Sequence, residues 1–224
     1  MLIEFIGCPG VGKSSICVRV MERLAGEGYA VENIHRSEMR KGAWARKLYT
    51  FEALYGIRNK ALRDAVNTYE ADNANPGSSV WKRDLLIAAM KLDRKSVKKL
   101  DAAFFEEGPT QYLSSIVHLD PIDETAGPVI HQMNKTIYSH DITAFYVTAD
   151  IGDISERIRK RNRKSDRFKG AEDTEMIRQL KIKEANLDYL TKRLDYREIY
   201  RIENRELDTA VSEVYSIISR NIMR

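Results

Sequence analysis

The beginning of the chain passes from a short apolar run to a glycine-rich loop and then to an amphipathic pattern. Residues Leu2–Ile6 are mostly apolar and rich in β-formers, which predicts a short buried strand. The segment 7–14, Gly-Cys-Pro-Gly-Val-Gly-Lys-Ser, follows directly. Beyond it, Ile16, Val20 and Leu24 recur at a spacing of four, which places them on one face of a helix. The first part of the chain is therefore predicted to run strand, loop, helix.

Farther along the chain, short apolar runs alternate with longer amphipathic segments. The short runs predict strands at residues 31–34, 102–107, 144–148 and 198–202. The longer segments predict helices at residues 43–68, 80–100, 111–119, 123–139, 151–162, 172–193 and 207–222. Strands that alternate with helices favour a three-layer α/β/α fold around a mostly parallel sheet. We expect one domain over residues 1–224, with a helical insertion at 35–100 and a helix interruption at Gly127-Pro128.

The positive charge of the protein is concentrated in one segment. The 224 residues carry 37 Lys+Arg and 33 Asp+Glu, a formal net charge of +4. Residues 151–170 hold eight basic and three acidic side chains, a net +5, so the rest of the chain sums to −1. Because the rest of the chain is nearly neutral, the basic isoelectric point is due to this one segment. It is therefore not evidence for general nucleic-acid binding.

Hydropathy and cysteine usage indicate the compartment. A composition of 43% apolar and 31% charged residues is that of a globular protein. No apolar run reaches the ~18 residues that span a bilayer, and the first residues lack the basic start of a signal peptide. The two cysteines, Cys8 and Cys17, suit a reducing environment. We therefore expect a cytoplasmic protein without a membrane partner.

The segment 7–14 matches the phosphate-binding pattern G-x-x-x-x-G-K-[ST] in full. Its glycines let backbone N–H groups converge on phosphate oxygens, and the helix that follows adds partial positive charge. We expect Lys13 to reach the β- and γ-phosphates of ATP and the Ser14 hydroxyl to ligate Mg²⁺. The residues expected to bind the nucleotide are Gly7, Pro9, Gly10, Val11, Gly12, Lys13, Ser14 and Ser15.

Missing motifs exclude several classes of nucleotide-binding protein. The guanine-specific N-K-x-D pattern fails at both candidate sites, because Asn59 and Asn134 begin tetrapeptides that lack the final acid. No L-S-G-G-Q sequence is present. What remains favours a small kinase that uses MgATP.

The second half of the chain resembles nucleoside monophosphate kinases, and thymidylate kinases in particular. A predicted strand at 145–150 leads to a helix with Arg157 and Arg161, and then to Asp166-Arg167-Phe168. This order is similar to the lid of that family, an R-x-x-x-R helix followed by an Asp-Arg pair. The resemblance implies a five-stranded parallel sheet of order 2-3-1-4-5 and a lid at 151–172. It also implies that ATP and the acceptor bind at the carboxyl ends of the strands, as the general rule for such sheets states.

Basic residues of the lid have a physical role in phosphoryl transfer. Arg157 and Arg161 are four residues apart and lie on one helix face, and Arg167 follows on a charged connection. Guanidinium groups that close over the phosphates stabilise the charge of the transferring group and exclude water. We expect these three arginines to be catalytic together with Lys13. A solvated basic face, or a patch for a nucleic-acid backbone, is the alternative.

Two adjacent acids end the predicted strand at 102–107. One of Glu106 and Glu107 could hold Mg²⁺ and the other could accept a proton from an acceptor hydroxyl, so both are candidate catalytic residues. Adjacent strand residues point in opposite directions, so one of them is expected to face the site. The resemblance to thymidylate kinases makes Glu106 the metal ligand. The alternative is that the acids only cap the strand or the next helix.

The acceptor side departs from the resembled family. Glu107-Gly108 stands where thymidylate kinases have an acid followed by the arginine that contacts the acceptor phosphate. The candidate acceptor-binding residues are Arg36, Arg40 and Gln111. An aromatic–basic helix around Trp44, Tyr49 and Tyr55 could form a wall of the acceptor pocket, although such a stripe is more often part of the core. We expect a nucleotide or nucleotide-like small molecule as acceptor. Two alternatives stay open for the function: transfer to a hydroxyl of DNA, RNA or a glycan, and a nucleotide-gated interaction without transfer. A homodimer is also possible.

Overall fold

Five parallel strands form one sheet in the order predicted from the sequence. The computed structural model describes residues 1–34, 51, 53–54, 59–73, 78–92, 99–117, 120–161, 168 and 172–223. The strands of these residues are β1 Leu2–Ile6, β2 Val31–Asn33, β3 Ala102–Phe105, β4 Ile142–Thr148 and β5 Glu198–Glu203. Their order is β2-β3-β1-β4-β5, and every neighbouring pair is parallel. The predicted order 2-3-1-4-5 is therefore confirmed.

Helices connect the strands and cover the sheet. They are α1 Lys13–Gly26, α2 Lys60–Asp72, α3 Ser78–Leu92, α4 Pro109–Ile116, α5 Gly127–Thr136, α6 Ile151–Arg161, α7 Asp173–Thr191 and α8 Leu207–Ile222. Two short 3₁₀ turns, Glu124–Ala126 and Tyr138–His140, flank α5. None of the described helices is long and apolar enough to cross a membrane.

The strands bury side chains on both faces, which produces two hydrophobic clusters and three layers. Successive strand residues point to opposite faces, so Phe104 belongs to the cluster that includes α1, α6 and α8, whereas Phe105 belongs to the cluster that includes α2 to α5. The long helix α7 contributes to both clusters, through Leu187 on one side and Leu190 on the other. The near-continuous apolar character of β3 and β4 follows from this burial on two sides.

Parallel register brings the carboxyl ends of the strands to one edge of the sheet. Leu2 lies opposite Ala103 in β3 and opposite Ile142 in β4, so these strands begin level with one another. The loop after β1, the acids after β3 and the connection after β5 therefore meet at the same edge. This is the edge at which open α/β sheets bind ligands.

Element boundaries differ from the sequence expectation at a few positions. Gly127-Pro128 begins α5 instead of interrupting it, because a proline in the first helical turn removes an N–H that has no partner there. Asn59 adopts a left-handed conformation with φ of 57° and starts α2, so the predicted helix 43–68 does not run unbroken to Thr68. Most of residues 43–58 lies outside the described part of the chain.

Candidate active site

The loop between β1 and α1 surrounds the ammonium group of Lys13. The Nζ atom donates to the carbonyl oxygens of Gly7 at 2.6 Å and Cys8 at 3.0 Å. The side chain is only 7% exposed. A buried ammonium group held by backbone carbonyl oxygens lies where it can bind phosphate oxygens, which carry full negative charge and form stronger hydrogen bonds. The predicted motif thus forms a loop that surrounds the Lys13 side chain, and its binding of phosphate stays a prediction.

Glycine is required at position 12 by both conformation and space. Gly12 has φ of +102° at the start of α1, a region that other residues rarely adopt. A Cβ atom at this position would lie 2.3 Å from Nδ2 of Asn204. The same Nδ2 atom donates to the carbonyl oxygen of Val11 at 2.7 Å. Asn204 therefore fixes the loop from the far end of the sequence.

A cleft of about 120 Å³ opens beside the loop and is bounded by several elements. The loop and the start of α1 supply one wall, and α3, α4 and the segment after β3 supply the other. The lining residues are Pro9, Gly10, Gly12, Lys13, Ser14, Trp81, Glu107, Gln111, Ser115 and Arg161. Five of the eight residues predicted to bind nucleotide thus line one cleft with one predicted acceptor residue. Of the other three, Gly7 accepts from Lys13, Val11 accepts from Asn204, and Ser15 is exposed.

The two acids after β3 have different surroundings. Glu107 lines the cleft that also contains Lys13. Glu106 is 9% exposed and accepts a hydrogen bond from Nδ2 of Asn33 in β2 at 3.2 Å. Of the two acids, Glu107 is the one that lines the cleft, and the catalytic roles predicted for the pair stay predictions. The assignment of Glu106 as the metal ligand stays a prediction.

Gln111 and Ser115 lie one helical turn apart on α4 and both line the cleft. The hydroxyl groups of Ser114 and Ser115 donate to the carbonyl oxygen of Gln111, at 2.9 and 2.8 Å. Lys183 of α7, 4% exposed, donates to both hydroxyl oxygens, at 2.6 and 2.8 Å. The Oε1 atom of Gln111 is buried and has no hydrogen-bond partner. This helix therefore holds an unsatisfied acceptor at the cleft wall.

Helix α6 carries the predicted lid arginines alongside the loop. Ile154 and Ile158 pack against Gly10, which joins the helix to the phosphate-binding loop. Arg161 lines the cleft, whereas the guanidinium group of Arg157 donates to the carbonyl oxygen of Asn204 at 3.1 Å. The two side chains therefore serve different parts of the site, although their spacing is four residues.

Three predicted site residues fall outside the described part of the chain. These are Arg36, Arg40 and Arg167, whose roles stay predictions. The aromatic–basic helix predicted around Trp44 also lies there. An aromatic wall does exist in the described structure, but Trp81 of α3 supplies it, with its ring stacked on Tyr112 at 6.3 Å and 26°.

Sequence reasoning did not identify Asn204, Trp81, Ser115 or Lys183. Asn204 directly follows β5, and the rule that ligands bind where parallel strands end could have identified it. Trp81 and Ser115 stand at ordinary helical positions, and a lone buried lysine in a charged helix has no distinguishing pattern. Their positions depend on packing between distant segments.

The acidic groups near α4 also influence a buried tyrosine. Burial raises the pKa of Tyr112 well above its usual value, and the carboxylates of Asp84, Glu107, Glu4 and Glu106 raise it further. The ring therefore remains a neutral phenol behind Trp81. Of these four carboxylates, Glu107 lines the cleft, together with the cationic groups of Lys13 and Arg161.

The cleft contains oxygen ligands that suit Mg²⁺ bound together with a nucleotide. No group of three His, Cys, Asp or Glu that could hold a metal ion occurs within the described ranges. Mg²⁺ at phosphate sites needs no such cage, because it takes one or two protein ligands, the phosphates and water. Ser14 and Glu107 both line the cleft and offer a hydroxyl and a carboxylate.

Comparisons with known proteins agree with the fold. The sequence matches no protein-family model, and it matches no curated protein. The structure is similar to that of a deoxyadenosine kinase from M. mycoides with bound dATP, with a TM-score of 0.53 and 15% identity over 98% of this chain and 100% of that chain. The same kinase with bound dCTP gives a TM-score of 0.52 and 15% identity, over 98% of this chain and 100% of that chain. The chain thus has the fold of P-loop kinases, whereas the closer likeness to thymidylate kinases stays a prediction.

Proposed function

We propose that the protein transfers the γ-phosphoryl group of MgATP to a nucleotide-like small molecule. One observation carries this proposal: a single cleft is lined on one side by a phosphate-binding loop and on the other by a carboxylate, an amide and an aromatic ring. A phosphate donor and an acceptor can therefore lie against each other, which is the main requirement of phosphoryl transfer.

The loop side supports binding of a nucleoside triphosphate. Backbone N–H groups of the glycine loop and the start of α1 offer hydrogen bonds to the phosphates. Lys13 leaves the carbonyl oxygens of Gly7 and Cys8 for phosphate oxygens. Ser14 would hold Mg²⁺ together with the phosphates, and the bound ion would supply positive charge that neutralises the phosphate oxygens. A phosphate group bound there by Lys13 and Ser14 would lie in the cleft that α4 also lines.

The acceptor side favours a hydroxyl group as the nucleophile. Glu107 places a carboxylate where an acceptor phosphate would be repelled and where an acceptor hydroxyl could donate its proton. Gln111 offers Oε1 to an N–H or O–H donor of the acceptor, and Trp81 makes part of the cleft lining aromatic, which favours contact with a planar ring. A compound with a hydroxyl, a planar ring and hydrogen-bond donors fits these groups. Nucleosides therefore come first in an acceptor screen and mononucleotides second.

Charge pairing on α6 argues against a nucleic-acid substrate. Arg159 forms an ion pair with Asp173, and Lys160 forms one with Glu156 at 2.7 Å. Two of the basic side chains of this helix thus have acidic partners within the chain. Arg161, by contrast, lies in the cleft, where a cation would act on the transferring phosphoryl group.

The experiment is an acceptor screen with γ-labelled ATP. Nucleosides, mononucleotides and short oligonucleotides are tested with the full chain, and label in the acceptor is measured. Lys13→Ala should abolish transfer, and Lys135→Ala, an exposed lysine on α5, should leave it unchanged. Transfer only to oligonucleotides, with a steep loss at higher salt, would favour a polymer acceptor. Hydrolysis of ATP without transfer to any acceptor would contradict the proposal.

A further inference from the structure

Outside the cleft, a buried carboxylate of β1 contacts the helix that carries the acceptor wall. Glu4 is fully buried. Its Oε1 atom accepts the backbone N–H of Thr110 at 2.9 Å. Its Oε2 atom accepts the hydroxyl groups of Tyr138 and Tyr196, both at 3.0 Å, and that of Thr110 at 3.2 Å. One side chain thus joins β1 to three segments that are distant in sequence.

The contact with Thr110 is a cap for helix α4 that strand β1 supplies. Thr110 lies in the first turn of α4, behind Pro109, which has no N–H. No side chain at the start of α4 caps the helix itself. The carboxylate of Glu4 fills that role, which is favourable because a helix start carries partial positive charge. Gly108 leaves the necessary space, since a Cβ there would lie 2.4 Å from Oε1 of Glu4.

The capped turn lies between the groups that face the cleft. Glu107 precedes it by two residues, and Gln111 directly follows Thr110. Both line the cleft. A shift of the first turn of α4 would therefore move the carboxylate and the amide of the acceptor wall together, while the phosphate-binding loop on the other side of the cleft would be little affected.

We propose that Glu4 is a positioning residue of the acceptor site, because its ionised carboxylate anchors the first turn of α4 and so places Glu107 and Gln111. This inference rests on the proposed function, in which those two groups contact the acceptor. Glu4 itself lies outside the cleft lining and touches neither nucleotide nor acceptor in this account.

The protonation state of Glu4 determines which hydrogen bonds its carboxyl group can form with the surrounding groups. In the described structure, the donors that face its carboxylate are the neutral hydroxyl groups of Tyr138, Tyr196 and Thr110 and the N–H of Thr110. Burial raises the pKa of Glu4 to about 7, and these hydrogen bonds lower it by less. Tyr112, a further titratable neighbour on α4, is kept neutral by its own burial. A proton on Glu4 must be donated to one of the surrounding oxygens, so at least one present donor has to turn away.

The first test is an NMR titration, which needs no acceptor. Backbone amide shifts of Thr110 and Gln111 are followed from pH 5.5 to 8.5 in the wild-type chain, in Glu4→Gln and in Glu213→Gln, a matched variant at an exposed position of α8. We expect both amides to move with a common midpoint near pH 7 in wild type and Glu213→Gln, and to stay constant in Glu4→Gln. Amides that do not titrate, or that titrate equally in Glu4→Gln, would overturn the proposal.

The second test separates acceptor binding from nucleotide binding. In Glu4→Gln, kcat/KM for the acceptor at pH 8 should fall by about tenfold or more, because small displacements of reacting groups are costly. Affinity for a fluorescent ATP analogue should stay within about twofold of wild type. At pH 6 wild type and variant should converge. An equal loss of ATP affinity would mean a merely structural role and overturn the proposal.

Tyr196→Phe covers the case in which Glu4→Gln does not fold. Tyr196 is partly exposed, and the substitution removes only one hydroxyl donor to Glu4, so we expect it to destabilise the fold less than Glu4→Gln does. It should raise the pKa of Glu4 and shift the titration of the Thr110 amide to higher pH. An unchanged midpoint would overturn the proposal. If wild type phosphorylates no acceptor, the proposed function fails, whereas the amide titration still decides the role of Glu4.

Discussion

Substitution of Gly12 by alanine tests how the phosphate-binding loop is held in place. The new Cβ would lie 2.3 Å from Nδ2 of Asn204, at a residue whose φ is +102°. The backbone conformation alone costs an alanine roughly 1–2 kcal/mol. If Asn204 moves aside, the carbonyl oxygen of Val11 loses its hydrogen bond inside the protein, at a cost of about 1–3 kcal/mol. We expect Gly12→Ala to lower the free energy of unfolding by about 2–5 kcal/mol.

Urea unfolding measures this loss, and a fluorescent ATP analogue measures binding in the same variants. Gly26→Ala is the matched control, because a Cβ at Gly26 meets nothing within 4 Å. This control should leave stability unchanged or raise it by up to about 1 kcal/mol. ATP affinity should fall in Gly12→Ala and not in Gly26→Ala.

A double-mutant cycle with Asn204→Ala isolates the contact. Removing the Asn204 amide removes the steric conflict and leaves only the strain of the backbone, so the two substitutions should be less costly together than their sum. We expect a coupling of at least about 1 kcal/mol, as for residues in direct contact. Additive effects, or a loss below about 0.5 kcal/mol in Gly12→Ala, would refute this account of the loop.

Three further predictions concern charge and the acceptor wall. Burial raises the pKa of Glu4 from 4.5 to about 7, so the folded state binds this proton more tightly than the unfolded state. Relative to Glu4→Gln, wild type should therefore lose about 3 kcal/mol of unfolding free energy as the pH rises across this range, as measured by urea unfolding. Arg161→Ala should lower kcat for transfer about 10³-fold with little change in ATP affinity, and Arg159→Ala should not. Gln111→Leu should raise the acceptor KM about tenfold in steady-state assays while leaving that of ATP unchanged.

The sheet and the loop could be predicted because their determinants are local. The apolar run Leu2–Ile6 and the glycine pattern after it are contiguous, and strand alternation with helices restricts the topology strongly. The resemblance to nucleoside monophosphate kinases supplied the strand order. Bounds of α5 were less accurate because Pro128 can begin a helix as well as interrupt one.

The site could be predicted only in part, because its second half depends on long-range packing. β3 ends at Phe105, so the alternation of a strand does not determine whether Glu106 or Glu107 faces the loop. Asn204 reaches Val11 across 193 positions, and Lys183 reaches Ser114 across 69. Glu4 looked like one position of an apolar strand. Its function as a cap for α4 follows only from the arrangement of β1 beside β3.

Transfer of label from γ-labelled ATP to a nucleoside is the decisive measurement for the proposed reaction. Wild type should place the label on an acceptor hydroxyl, and Glu107→Gln, which keeps the shape of the side chain, should lower this transfer by at least about 10² while still binding the ATP analogue. Label found only in inorganic phosphate, at a rate that no nucleoside or nucleotide alters, would contradict the claim that the cleft is a phosphoryl-transfer site.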